Sequence, residues 1–232
     1  MGQFWQVEYV NPVNTYCEFK AGGDNKEILG KIFTYDKEAG ANLPFELWEC
    51  IVLKTGYTIT GYSDKHSTGI YSNTVEYLAE EFEVKTHKSK ITGNSETLAY
   101  GLYKDIKADI ITSGAKLNKV LYLLTDDSRI VYLALKGEAS RSVGERLRNY
   151  NQSKVKIKLS GTEAKKKWAT NYLVPIWWLG WDITEDEAEI ALSKLALLNA
   201  NQPKKDEKPS LVDELLNEVD NPTETEADSM PF

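Results

Sequence analysis

The chain is poor in the residues that build covalent or metal-based chemistry. Two cysteines, Cys17 and Cys50, and two histidines, His66 and His87, are all that 232 residues contain. Neither a CxxC nor an HExxH spacing is present, so a thiolate metal site, a disulfide framework and a multi-histidine centre are excluded. No GxGxxG or GxxxxGK[ST] run exists to cradle a nucleotide phosphate. Long apolar runs are missing as well: no stretch approaches the roughly 18 apolar residues of a spanning helix. The opening "MGQFWQVEYVNP" lacks the basic and apolar regions of an export signal. Together these absences point to a reducing cytoplasm. Asp64, His66 and Ser67 are close in sequence, but triads are set by geometry, and this spacing reads as a polar loop. Glu80, Glu81, Glu83, Asp105, Asp109, Asp126 and Asp127 could supply a metal-dependent nuclease, yet they read as solvated faces and turns. The expectation is binding without a catalytic residue, cofactor or metal.

What the chain does have is charge sorted by segment. Residues 129–181 carry 11 basic and 3 acidic side chains, a net of +8, whereas residues 182–232 carry 4 basic and 14 acidic, a net of -10. A basic block followed by an acidic tail suggests a polyanion-binding body and an interaction tail.

Aromatics make up 11% of the residues and hydrophobics 41%, enough for a substantial core. "GYTITGYS" (56–63) and "EFEVKTH" (81–87) have strand composition and length. "NKVLYLLTDDSRIVYLALKG" sets two apolar runs either side of Asp126, Asp127 and Ser128 and predicts a β-hairpin. "SVGERLRNY" predicts a short helix with Ser142 and Glu145 in capping-box spacing and Val143, Leu147 and Tyr150 on one face. "KVKIKLS" alternates Lys154, Lys156 and Lys158 with Val155, Ile157 and Leu159, a strand with one cationic and one apolar face. "NYLVPIWWLGWD" reads as a further strand, with Pro175 at an edge or bulge. Thr184 and Glu187 form a second capping box before a stripe of Ala188, Ala191, Leu192, Leu195 and Leu198. Many short strands with few helices predict a mainly β fold: an OB-fold-like barrel over residues 1–200 with extra strands and short helices. A disordered acidic tail follows over residues 201–232.

Cations interleaved with rings suit a single-stranded nucleic acid, whose phosphates meet the cations and whose bases stack on the rings. Candidate DNA-binding residues are therefore Lys136, Arg141, Arg146, Arg148, Lys154, Lys156, Lys158, Lys165, Lys166 and Lys167. Tyr62, Tyr71, Tyr100 and Tyr103 join them, with Lys88 and Lys90 extending the track. Two bland readings stand beside this one. The lysines of "KVKIKLS" can guard a solvated face against edge pairing, and Trp177, Trp178 and Trp181 can be core.

The last residues, "EADSMPF", carry a resemblance. They are similar to the C-terminal tip of bacterial single-stranded DNA-binding proteins, an acidic tail with a small apolar cluster and Phe last. That resemblance implies that Asp228, Met230, Pro231 and Phe232 enter a basic-rimmed pocket on replication, recombination or repair proteins. The body looks more like the single-stranded DNA-binding proteins of tailed bacteriophages, and "GIYSNTV" and "GLYKDIK" resemble segments of phage proteins of similar length. The implied function is sequence-independent coating of single-stranded DNA in the host bacterial cytoplasm. A recombination-annealing factor or a carboxylate-metal nuclease would be the alternative.

Overall fold

The computed structural model describes residues 11–89, 91–148 and 154–200. Lys90, Tyr150 and the expected partner-binding residues Asp228, Met230, Pro231 and Phe232 lie outside them, as does the rest of 201–232. Among the described residues eleven strands and three helices form, so the fold is mainly β. The chain opens with β1 (Thr15–Phe19), β2 (Ile32–Asp36) and β3 (Ala41–Pro44) and then the long β4 (Cys50–Ser63). Next come β5 (Thr68–Ser72), β6 (Glu81–Thr86), β7 (Thr97–Leu102) and helix α1 (Tyr103–Thr112). β8 (Ala115–Leu124), β9 (Ile130–Lys136), α2 (Glu138–Leu147), β10 (Lys156–Lys167), β11 (Thr170–Gly180) and α3 (Glu185–Ala200) complete it.

β4 organises the sheet. Its 14 residues pair along one edge with β8, while the other edge is shared by β10 at Cys50 and Ile51 and β5 at Gly61, Tyr62 and Ser63. A bulge between Val52 and Lys54 bends it. The spatial order is β3, β2, β1, β9, β8, β4, β5, β6, β7, with β10 on β4 and β11 on β10. β1 runs parallel to β9, whereas the other ladders are antiparallel. The sheet is not closed. The backbone bond from Leu173 N to Ala21 O, 2.7 Å long, ties β11 to the segment after β1. Gly30 permits that approach: it has φ +72°, and a Cβ there would stand 2.7 Å from Leu173 Cδ1.

Three apolar clusters hold the layers. "IVYLALK" shows why a central strand reads as a continuous apolar run: Val131, Leu133 and Leu135 point to one face, Ile130 to the other. The first set joins Val52, Leu121 and Leu123 beneath Val143 and Leu147 of α2 and Ile157 and Trp177 of the β10–β11 ribbon. On the opposite face Ile51, Leu53, Leu124 and Ile130 meet Ala191 and Leu198 of α3. The far end of β4 packs Ile59 with Ile70, Phe82, Val84 and Ile106 under α1.

Local signals proved accurate where partners are close in sequence. The hairpin at Asp126, Asp127 and Ser128 forms, with Ser128 at φ +60°. The Thr184 and Glu187 box closes in both directions, at 2.9 and 3.3 Å. Pro175 lies in β11, which pairs only with β10. Three expectations need correction. α2 begins at Glu138, so Ser142 is no cap; its hydroxyl donates to Ala139 O instead. Leu192, expected in the α3 stripe, is 61% exposed, whereas Ala191 and Leu198 of the same helix are buried against the sheet. Of the three tryptophans only Trp177 is core, and its Nε1 donates to Ser142 Oγ; Trp178 and Trp181 are exposed.

Candidate nucleic-acid interface

The alternation of "KVKIKLS" survives, with Val155 and Ile157 buried, but its cations are not free. Lys156 Nζ lies 2.7 Å from Glu187 Oε1, and Lys158 Nζ lies 2.7 Å from Glu49 Oε1 and over the Trp178 ring at 4.4 Å. Glu187 is held below the usual carboxyl range, first by its bond from Lys156 and then by the Thr184 backbone. Lys154 is exposed just ahead of the strand. Lys136 reaches Glu18 at 2.6 Å, and Lys165 faces Glu163 at 3.6 Å. No ion pair among the described residues engages Lys166 or Lys167.

α2 collects the arginines. Arg141 and Arg148 line an open groove of about 500 Å³ with Tyr57, Lys119, Ser140, Gly144 and Glu145. Lys119 Nζ sits over the Tyr57 ring at 4.8 Å, so the groove holds three cations and an aromatic floor against one carboxylate. Arg141 also reaches Glu138 at 3.0 Å. Arg146 is exposed on the same helix, outside the groove lining.

The expected tyrosines lie elsewhere: Tyr71 on β5, Tyr100 on β7, Tyr62 at the end of β4 that pairs with β5, and Tyr103 at the start of α1. Tyr71 stacks on His87 at 4.5 Å, and Tyr62 OH pairs with Ser67 Oγ. Tyr100 donates to Glu81 Oε2 at 2.6 Å, and that acceptor raises its phenol pKa. Glu83 stands opposite Tyr100 and binds Lys85, so this outer face is mixed in charge. Tyr103 packs edge-on against Phe82 and belongs to the core. Lys88 is exposed beyond β6. The expected residues are thus distributed over three places, and Arg141 and Arg148 share a concavity.

The register also assembles a row of rings that no local pattern announces. Tyr16 of β1 lies beside Tyr132 of β9, and Tyr132 lies opposite Tyr122 of β8, which lies opposite Lys54 of β4. Ring centroids are 5.2 Å apart for Tyr16 and Tyr132 and 5.4 Å for Tyr132 and Tyr122. Continuing the β1–β2 register places Tyr35 opposite Tyr16. The row runs from open to covered: Tyr35 is 60% exposed and Tyr16 53%, while burial raises the Tyr132 phenol pKa. Lys54, buried at its inner end, binds Glu76 and Asn199, each at 3.1 Å. Lys136 and Glu18 flank the same face. The α2 groove opens on the opposite face of the sheet.

Among the described residues no three His, Cys, Asp or Glu side chains are gathered to hold a metal ion, and no helix is long and apolar enough to cross a membrane. Comparison with protein-family models, with curated proteins and with solved structures finds no match to this chain.

Proposed function

We propose that the chain binds single-stranded DNA without reading its sequence, and that the strand lies on the open, Tyr35 and Tyr16 end of the tyrosine row. The row is the observation that carries this reading. Tyr35 and Tyr16 offer open rings on one sheet face, continued by Tyr132 and Tyr122. Rings at strand spacing stack with any base, and they discriminate against a duplex because paired bases hide their faces. The connectivity supports the same reading. The antiparallel meander β4, β8, β9 is followed by α2 and by a hairpin whose first strand returns to β4. That order is compatible with an opened five-stranded oligonucleotide-binding barrel that has β1 laid along β9 and β5 to α1 inserted. In that barrel the second and third strands carry the ligand face, the places taken by β8 and β9. On the face of the row Lys136, paired with Glu18, is a cation within reach of a phosphate. Capture of replication or recombination proteins by Asp228, Met230, Pro231 and Phe232 is part of the proposal on sequence resemblance alone.

Titration with poly(dT) and with duplex of equal length, at several salt concentrations, tests it. Single strands should bind more tightly, with log K falling against log salt by roughly 0.7 per phosphate neutralised. Equal affinity for the two, or no binding to either, overturns it.

A further inference from the structure

The β10–β11 ribbon leaves the body beyond Leu173 and ends in a two-residue turn, Trp168 and Ala169, between the paired Lys167 and Thr170. Counting about 3.3 Å per residue, the turn stands roughly 13 Å beyond Ala164, the partner of Leu173. Two features of Trp168 oppose stability. Its φ is +59°, in the region that favours glycine, and Ala169 does not share it. A positive φ at the first central residue alone is the pattern of a II′ hairpin turn, where glycine is the usual occupant. Its side chain is also 89% exposed, so packing against the ribbon offsets almost none of the strain. A bulky residue in this backbone region is a genuine outlier, and such outliers mark functional positions.

The surroundings indicate what the ring meets. Lys165, Lys166 and Lys167 precede it, with Glu163 the nearby carboxylate of the ribbon. We propose that this tip is a second contact for the same DNA strand, in which the Trp168 indole stacks on an unpaired base while Lys166 and Lys167 meet the flanking phosphates. This rests on the single-strand reading above. A polyanion carrying flat rings matches both features at once. A lipid surface fits less well, because Ala169, Thr170 and Asn171 add little apolar area to one indole. A protein pocket fits less well too, since Trp168 has no apolar rim of its own to exclude water.

The test uses the full chain with Trp168→Gly and Trp168→Phe, a 5′-labelled dT oligonucleotide of about 30 nucleotides, an abasic oligonucleotide of equal length, and vesicles of phosphatidylcholine with phosphatidylserine. Glycine relieves the turn, so Tm should hold or rise by about 2 to 6 °C. Affinity for dT should meanwhile fall by about 5- to 150-fold. Phenylalanine should restore most of the affinity, and on the abasic strand wild type and Trp168→Gly should bind alike. Replacing Lys166 and Lys167 by Ser should lower the salt slope by about 1.4. Unchanged dT affinity in Trp168→Gly overturns the proposal, as does an equal loss on the abasic strand. So does vesicle binding that depends on Trp168 while dT affinity does not. Failure of the wild type to bind dT at all would overturn the single-strand reading first.

Discussion

Replacing Tyr16 by Ala should separate affinity from stability. The ring is half open and lies 5.2 Å from Tyr132, with the planes tilted by 49°. Its loss forfeits that aromatic pair, about 0.5 to 1.5 kcal/mol of stability, or roughly 1 to 6 °C in Tm for a domain of this size. The exposed bond from Asn11 Nδ2 to the phenol, 2.7 Å long, adds little. If a base stacks on the ring, the same substitution removes about 1 to 3 kcal/mol of binding and weakens Kd by about 5- to 150-fold. Fluorescence anisotropy with a labelled dT oligonucleotide reads the affinity, and thermal melting reads the stability. Tyr16→Phe is the control: it keeps the ring, loses the Asn11 bond and should bind within about twofold of wild type. Wild-type affinity in Tyr16→Ala would refute the reasoning. An equal loss in Tyr16→Phe would assign the contact to the hydroxyl and refute stacking.

Three further outcomes follow from the ion pairs and the core. Replacing Lys156 and Lys158 by Ser should leave the salt slope within about 0.3 of wild type, because Glu187 and Glu49 already neutralise them; a drop near 1.4 would mean that DNA displaces those carboxylates. Glu187, held by Lys156, and Asp127, held by Thr125 and then Arg129, are both more acidic folded than unfolded. The stability they contribute is therefore complete above the ordinary carboxyl range, about pH 4, and is lost as pH falls through their lowered pKa values. Urea midpoints between pH 7 and 3 should accordingly fall less steeply in Lys156→Met than in wild type, and equal slopes would remove Lys156 as the cause. Burial pushes the Cys17 and Cys50 thiols up to about 12, so at pH 8 about one in 10⁴ is thiolate and a disulfide reagent should label them only on unfolding; rapid labelling of native protein would show that this part of the core opens.

Legibility in the sequence followed the distance between partners. The turn at Ser128 and the Thr184–Glu187 box are decided within four residues, and both could be read directly. The face alternation of "KVKIKLS" was also legible, because strand geometry fixes it. Its electrostatic state was not: the partners of Lys158 and Lys156 lie 109 and 31 residues away. Tyr122 and Tyr132 face each other across the β8–β9 hairpin and Tyr16 and Tyr35 across β1–β2, and the parallel β1–β9 register, which joins the two pairs into one row, is set by residues more than 110 positions apart. Composition marked residues 129–181 as basic, but α2 and the ribbon distribute those cations between two places. The backbone strain at Trp168 was not legible, since φ is not a property of composition.

Photocross-linking tests the central claim most directly. A dT oligonucleotide carrying 5-bromodeoxyuridine, irradiated in complex with the full chain and mapped by mass spectrometry, marks the rings that bases touch. The account predicts cross-links at Tyr16 and Tyr35, competed by excess poly(dT) and not by duplex. Cross-links confined to Tyr62, Tyr71 or Tyr100, with none on β1 or β2, would contradict it.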